Sequence, residues 1–232
     1  MRIDYASHDG PYRRRKERGA EGWDESGESY ETYKSEWRTL VGTYPIPREG
    51  KLLEIGCGAG NFTVWLAQQG YEAYGIDIAP AAVEWAKERA EKENVTADFR
   101  VGSVVELAGY EDEAFDVVAD GHCLHCIIGD DRGECVASAL RVLKPGGWFV
   151  VNTMCRTEKE ITMEGFDPAS GIVFNKDLAT RYIGTEDAIL DEVTASGFAV
   201  RGTELKTEDQ DKDNGIATLI VAAQKKGAEE TA

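Results

Sequence analysis

The sequence lacks long apolar segments and an excess of basic charge. Its longest apolar stretches, such as residues 216–223, fall far short of the roughly 20 residues that a membrane-spanning helix needs. The N-terminus is polar and charged, so we expect no secretory signal. Lys and Arg number 26 against 43 Asp and Glu, which gives a net charge of −17. Because phosphates attract basic surfaces, this balance argues against duplex nucleic acid as a ligand.

Cysteine is scarce, and its count is odd. The five cysteines, at positions 57, 123, 126, 135 and 155, are spread through the chain. Such a set is not a disulfide framework and fits a reducing compartment. We therefore predict a cytoplasmic protein that binds neither nucleic acid nor a membrane and that is a monomer or a homodimer.

What the sequence does contain is enough apolar material for a sizeable core. Hydrophobic residues make up 42% of 232 residues, which suits one domain with additional segments. Residues 1 to about 28 show little apolar periodicity and are predicted to be a mobile arm, whereas Tyr30, Tyr33 and Trp37 share one face of a helix. The predicted organisation is an N-terminal arm with a covering helix at 1–45, a main domain at 46–225 and a solvated tail at 226–232.

Strand and helix patterns alternate through the main domain. Strands are predicted at 51–56, 72–77, 97–101, 115–119 and 148–153, with helices at 61–69, 80–92 and 130–143. Such alternation implies right-handed crossovers and a parallel sheet covered on both faces. After a helix at 186–196, strands at 198–205 and 217–223 are predicted to form an antiparallel hairpin at the sheet edge. The predicted fold class is α/β, with a doubly wound, Rossmann-like sheet of about seven strands.

A glycine-rich turn, GCGAG at residues 56–60, joins the first predicted strand to the first helix. Glycines there allow a tight turn and let a ligand lie against bare main chain. By itself the turn also fits a tight connection without a ligand. Its G-x-G-x-G spacing differs from the dinucleotide pattern G-x-G-x-x-G, which disfavours a dehydrogenase.

An acidic residue at the end of the second strand strengthens the ligand interpretation. Asp77 follows Gly60 by 17 residues, and a carboxylate there can accept hydrogen bonds from both hydroxyls of a ribose. Ile78 follows it and offers an apolar contact for a purine ring. The combination predicts a ligand that contains a nucleoside.

Four segments in order resemble the motifs of class I S-adenosylmethionine-dependent methyltransferases: LLEIGCGAG, YGIDIAP, FDVVADGHCLH and ALRVLKPGGWFVV. The resemblance covers about residues 48–153. It implies a sheet order of 3-2-1-4-5-7-6, with the seventh strand antiparallel, and S-adenosylmethionine as the cofactor.

The resemblance also implies a donor site. Asp77 would hold the ribose hydroxyls, Ile78 would touch the adenine, and Ser103 stands where many members have an acid for the adenine amino group. Asp120 or Gly121 would face the methionine amino group. The full expected donor set is Glu54, Gly56, Cys57, Gly58, Gly60, Asp77, Ile78, Ser103, Val104, Asp120, Gly121, Trp23 and Tyr33.

Two of the three histidines lie in the cluster HCLHC at residues 122–126. Three interpretations stay open for it. His122 or His125 acts as a general base or as an orienting hydrogen-bond partner. Alternatively, the cluster and Cys155 bind a metal or metalloid, although the spacing is not that of a paired structural zinc site, and we predict no metal. In the third interpretation these residues only form the wall of the donor pocket.

Residues 155–184 have no clean period and are predicted to be a lid over the acceptor. Arg156, Arg181 and Tyr182 are the candidate substrate contacts there, since an arginine pairs well with a carboxylate. The predicted function is transfer of a methyl group to an O, N or S atom of a small molecule, mainly by alignment. The alternatives are a non-catalytic donor-binding scaffold or activator subunit, and a peptide, protein or metalloid methyltransferase.

Overall fold

The computed structural model describes residues 1–207 and 214–227. In these ranges the strands are β1 (Gly50–Ile55), β2 (Tyr71–Asp77), β3 (Asp98–Val101), β4 (Phe115–Asp120), β5 (Leu143–Arg156), β6 (Phe166–Asp167), β7 (Ile172–Asn175), β8 (Leu178–Tyr182), β9 (Phe198–Thr207) and β10 (Ile216–Lys225). The α-helices are α1 (Asp9–Glu17), α2 (Glu28–Thr43), α3 (Asn61–Gln68), α4 (Pro80–Lys92), α5 (Asp131–Val142) and α6 (Glu186–Ala195). None of the described helices is long and apolar enough to cross a membrane.

Seven strands form the central sheet, in the order β3-β2-β1-β4-β5-β10-β9. The pairs among β1 to β5 are parallel, and β10 runs antiparallel to both β5 and β9. Counted along the sheet, this is the predicted order, and the α/β fold class is confirmed. Because parallel strands need a helical crossover, the carboxyl ends of β1, β2 and β4 all reach the same edge.

Helices cover both faces of the sheet. On one face α2 and α3 bury Tyr33, Trp37 and Phe62 against the strands. On the other face α5 and α6 bury Val136 and Ile189 together with the opposite side chains of the same strands. The strands are therefore apolar on both sides, as a covered parallel sheet requires.

The segment predicted to be a mobile arm is folded onto the domain instead. Residues Tyr5–His8 form a 3-10 turn and lead directly into α1, in which Tyr12 is buried. The Asp9 carboxylate accepts a hydrogen bond of 2.7 Å from the main-chain amide of Ala81 at the start of α4. One buried aromatic residue in a polar helix leaves no apolar period, which explains why the sequence pattern does not reveal this element. Of the predicted tail at 226–232, residues 228–232 lie outside the described part of the chain.

Residues 155–184 contain a small antiparallel sheet, β6-β7-β8. It is attached to the end of β5, where the Arg156 amide donates to the Gly184 carbonyl at 2.8 Å. It also pairs with the chain start, because the Ala179 amide donates to the Arg2 carbonyl at 2.9 Å. Strands of two to five residues are too short for a clear alternating pattern, so sequence analysis predicts only an irregular segment here.

Candidate functional site

A cavity of about 290 Å³ opens at the carboxyl edge of the central sheet. Its walls come from the turn after β1, the end of β2, the loops after β3 and β4, strand β8 and the N-terminal segment. The lining residues include Tyr5, His8, Tyr12, Trp23, Asp24, Tyr33, Glu54, Gly56, Cys57, Gly58, Asp77, Ile78, Ser103, Val104, Gly121, His122, Cys123, His125, Cys126, Met154 and Arg181. Most of the residues that the resemblance implied therefore share one cavity.

The glycine turn forms the cavity floor. Gly58 has φ +52°, and a Cβ atom there would lie 2.6 Å from the Tyr12 hydroxyl oxygen. Its amide donates to Asp77 Oδ2 at 2.9 Å, so the turn and the end of β2 are held together. Gly60 does not line the cavity; its bare Cα allows α3 to approach Ala86, which a Cβ would meet at 2.8 Å.

The Asp77 carboxylate is buried where β2 ends, and Oδ1 accepts a second main-chain amide, from Ala79, at 2.8 Å. Burial raises the pKa of this carboxyl, and the two amide hydrogen bonds oppose that rise. Ile78, Ser103 and Val104 line the cavity beside it. This end of the cavity therefore combines an oriented carboxylate with apolar and hydroxyl groups.

Glu54 is buried in the middle of the cavity wall, and the Thr63 hydroxyl donates to its Oε2. Burial raises the pKa of Glu54 to about 8. Gly121 packs directly against this carboxyl, since an added Cβ would clash with Glu54 Oε1. This part of the wall therefore consists of Glu54, which holds its proton near neutral pH, and of Gly121, which packs against it.

Asp120 and Gly121 differ in what they face. Asp120 Oδ1 accepts the main-chain amides of Cys123 and Leu124 at 2.7 and 3.0 Å, and its side chain does not line the cavity. Burial raises the pKa of Asp120 to about 7. The Tyr33 hydroxyl donates to the Asp120 main-chain carbonyl at 2.8 Å. Of the two residues, only Gly121 lines the cavity.

Both histidines of the HCLHC cluster line the cavity, and their rings lie 6.0 Å apart between centroids. The surrounding protein lowers the pKa of His122 to about 4, although the ring remains accessible from the cavity. His125 is 6% exposed, burial lowers its pKa well below the usual range, and its Nδ1 has no partner. Both rings are therefore neutral at neutral pH.

The cysteines do not converge. Cys123 and Cys126 line the cavity, whereas Cys155 is buried within β5 and does not. Burial raises the pKa of Cys126 to about 11, which keeps it a thiol. Within residues 1–207 and 214–227, no group of three or more His, Cys, Asp or Glu side chains is arranged to hold a metal ion.

Of the three candidate acceptor contacts, the structure brings only Arg181 to the cavity. Arg156 Nη1 donates to the Pro168 carbonyl at 3.1 Å, outside the cavity. The Tyr182 ring lies under the Arg132 guanidinium, 4.3 Å from its centroid. The alternation of side chains along β8 places Arg181 and Tyr182 on opposite faces, which explains the difference.

Several residues of the cavity wall were not among the predicted site residues. Tyr5, His8 and Tyr12 come from the N-terminal segment, and Met154 comes from β5. None of them lies in a recognisable motif, and only the folding of the arm onto the glycine turn brings them to the site. Beyond the motifs themselves, the sequence carries no signal that would have identified them.

Comparison with known proteins agrees with this geometry. Residues 53–151 match the family described as methyltransferase domain. Over 120 residues the chain is 34% identical to a ubiquinone biosynthesis O-methyltransferase of Cereibacter sphaeroides, a match that covers 51% of this chain and 47% of the relative. A protein of the same name from Xanthomonas oryzae pv. oryzae is 33% identical over 107 residues, covering 46% and 44%. The match thus spans about half the length of these curated relatives.

A solved structure described as a SAM-dependent methyltransferase from Methanosarcina mazei has the same fold. It aligns with a TM-score of 0.66 and 22% identity, covering 81% of this chain and 97% of that one. At this identity the likeness shows the fold alone. The sheet order, the four motifs and the matched family agree with one another. Residues 53–151 therefore match a methyltransferase domain, within a sheet whose order is the one that the resemblance implied.

Proposed function

We propose that this protein transfers the methyl group of S-adenosylmethionine to an oxygen atom of a small molecule. The observation that carries the proposal is the shared cavity, in which the glycine turn and Asp77 meet at one end and His125 and Arg181 line the wall with them. The names of the curated relatives favour oxygen over nitrogen or sulfur as the acceptor atom.

The residues at the Asp77 end fit a nucleoside. The Asp77 carboxylate would accept the ribose hydroxyls, Ile78 would pack on the adenine, and Ser103 and Val104 would contact its edge. The missing Cβ of Gly58 leaves space that a side chain would fill. Tyr33 and Trp23 would cover the donor, and an aromatic face there would attract the sulfonium by a cation–π contact.

The donor, when bound, would supply a methyl group already activated as a sulfonium. The chain's own contribution is then to align the two reactants and to exclude water. Glu54 and the main chain at Gly121 would hold the methionine side of the donor. His122, which is neutral, would orient the acceptor hydroxyl as a hydrogen-bond partner. Residues 155–184 would act as the acceptor lid.

Calorimetric titration with S-adenosylmethionine and, separately, with NAD tests the proposal. We expect binding of S-adenosylmethionine alone. Asp77→Ala should weaken that binding by about 1–3 kcal/mol, because charge-assisted hydrogen bonds are lost. The matched control is Asp98→Ala on β3, an exposed carboxylate paired with Arg100; we expect it to bind the donor normally.

Other outcomes would redirect the assignment. Unchanged donor affinity in Asp77→Ala would overturn the ribose assignment. Binding of neither ligand would mean that the pocket needs a partner subunit or is vestigial. Donor binding with methylation of added peptides but not of small phenols would favour a protein methyltransferase. We also propose a cytoplasmic location, which all five cysteines support by being free thiols.

A further inference from the structure

Arg181 lines the cavity without any anionic partner. It lies on β8 and is half-buried, and its Nε is fully enclosed yet makes no hydrogen bond within the described residues. No carboxylate of residues 1–207 or 214–227 lies within salt-bridge distance of its guanidinium. Enclosing a guanidinium nitrogen without a partner is costly, because that nitrogen has given up water and gained no hydrogen bond in return.

The lack of a partner stands out because acidic residues exceed basic ones by 17 in this chain. Other arginines do have partners: Arg132 forms two hydrogen bonds with Glu192, at 3.0 and 2.7 Å. Arg141 pairs with Asp112 at 2.7 Å. The fold therefore satisfies these two guanidinium groups and leaves the one that lines the cavity without a counterion.

The carboxyl groups that line the cavity are already engaged elsewhere. Asp24 accepts the main-chain amides of Ser26 and Ser29, at 3.1 and 2.8 Å. Glu54 accepts the Thr63 hydroxyl, and Asp77 accepts two main-chain amides at the opposite end. None of them supplies the charge that Arg181 lacks.

A second group points into the same part of the cavity. His125 is more than nine-tenths buried, and its Nδ1 is without a partner. Burial is the main reason that the pKa of His125 is low, and the Arg181 charge adds to the effect, as does that of Arg132. Arg181 also lowers the pKa of Cys126, in opposition to burial. A planar cation and an unpaired imidazole thus share one wall beside two thiols.

We propose that Arg181 and His125 form a subsite for an anionic group, so that the acceptor is a small molecule bearing a carboxylate or a phosphate. A guanidinium binds either group through two parallel hydrogen bonds, and His125 adds a third, from its ring N–H. The identification of the bound molecule as the methyl acceptor rests on the proposed function. The anion subsite itself does not depend on methyl transfer.

Binding of simple anions tests the subsite without turnover. The ring protons of the three histidines are followed by NMR while benzoate, phenyl phosphate or the neutral control benzyl alcohol is added, with and without S-adenosylhomocysteine. We expect saturable shifts of the His125 signals with the two anions and none with the alcohol. Arg181→Met should weaken anion binding roughly tenfold or more. Phenyl phosphate against benzoate shows which of the two anionic groups the subsite prefers.

The control variant is Arg201→Met, which removes the same charge from β9, where Arg201 Nε donates to Gln224. It should keep the anion response of the native protein. Calorimetry of Arg181→Met with S-adenosylmethionine should give an affinity within about twofold of the native value.

Three outcomes would overturn the proposal. Equal His125 shifts with benzyl alcohol and with benzoate would mean an apolar pocket. Anion binding that survives Arg181→Met would place the anion elsewhere. A large loss of donor affinity in Arg181→Met would mean that Arg181 pairs with the carboxylate of the donor's own methionine. Failure of the proposed function appears separately, as absence of S-adenosylmethionine binding to the native protein.

Discussion

At the scale of single residues, three carboxyl groups are buried in or beside the cavity. Glu54, Asp77 and Asp120 are each 7% exposed or less, and burial raises the pKa of all three. Asp77 and Asp120 each accept two main-chain amides, which lower the pKa in opposition to burial. Hydrogen bonds from Thr63 likewise lower the pKa of Glu54, but burial outweighs them and keeps the carboxyl protonated near neutral pH.

The raised pKa of Glu54 makes the stability of the protein depend on pH. The folded-state pKa of Glu54 is about 8, against an ordinary value of 4.5. Between these two pH values the folded state therefore holds a proton that the unfolded state has released. This contribution to stability is full below pH 4.5 and is lost as the pH rises through 8. As the pH rises from about 7 to 9, we expect the free energy of unfolding to fall in both proteins. The fall should be about 1 kcal/mol larger in the native protein than in Glu54→Gln.

Urea unfolding at a series of pH values measures this difference. The amide of Glu54→Gln can still accept the Thr63 hydroxyl but cannot titrate, and every other ionisable group is common to both proteins. Asp120 titrates mostly below pH 7. His122 and His125 also titrate below pH 7, where their lowered pKa values make stability rise with pH. Parallel pH curves for the two proteins would show that Glu54 is ionised in the folded state at neutral pH.

At the scale of secondary-structure elements, the position of His125 depends on α5 and α6, which cover one face of the sheet. The 3-10 turn Leu124–Cys126 carries the histidine, and Arg132 of α5 holds this turn. Arg132 Nη1 donates to the Leu124 and Ile127 carbonyls at 2.5 and 3.2 Å, while Glu192 of α6 fixes the rest of the guanidinium. The turn, α5 and α6 are thereby joined through one buried arginine.

Arg132→Met should destabilise the protein by about 2–3 kcal/mol, because it leaves Glu192 and two carbonyls without their partner. This is below the value for a completely buried pair, since the Glu192 side chain is 19% exposed. The measurement is urea unfolding at neutral pH. The double variant Arg132→Met/Glu192→Leu should recover most of the loss, because it removes the unpaired charge. A double variant as unstable as the single one would show that the lost carbonyl contacts dominate.

At the scale of the whole molecule, the N-terminal segment closes the cavity without belonging to the core of the sheet. Neither large buried cluster of the sheet contains a buried residue from positions 1–18. The segment instead contacts the glycine turn through Tyr12, α4 through Asp9 and β8 through Arg2. The donor end and the proposed lid are thus connected by a single stretch of chain that lies outside the sheet.

Deletion of residues 2–18 should leave a domain that still unfolds cooperatively but binds S-adenosylmethionine roughly tenfold more weakly or worse. The loss follows from removing the aromatic wall over Gly58. Calorimetry and thermal unfolding measure the two effects, and Tyr12→Ala should reproduce part of the loss of affinity. A deleted protein with native donor affinity would show that the segment does not cover the donor. A deleted protein without a cooperative transition would show that the segment belongs to the folding unit.

The sequence alone was sufficient to predict the central sheet and the donor motifs. Apolar runs marked β1, β4 and β5, and helix 80–92 was predicted at the bounds that the structure shows. These features follow from local patterns, because buried strands and amphipathic helices must repeat with a fixed period. Asp77 and the glycine turn were predictable for the same reason, since both lie at strand ends whose positions the period determines.

Only the tertiary structure decided which side chains share the cavity. Arg156 and Arg181 are equivalent by sequence, yet one binds a loop carbonyl and the other faces the site. Cys155 is next to Met154 on β5, but only Met154 lines the cavity. Tyr12 lies in a helix of weak apolar character and lines the cavity beside Gly58, which is distant from it in sequence. Such placements depend on long-range packing and on the phase of each strand, which a local pattern of residues does not specify.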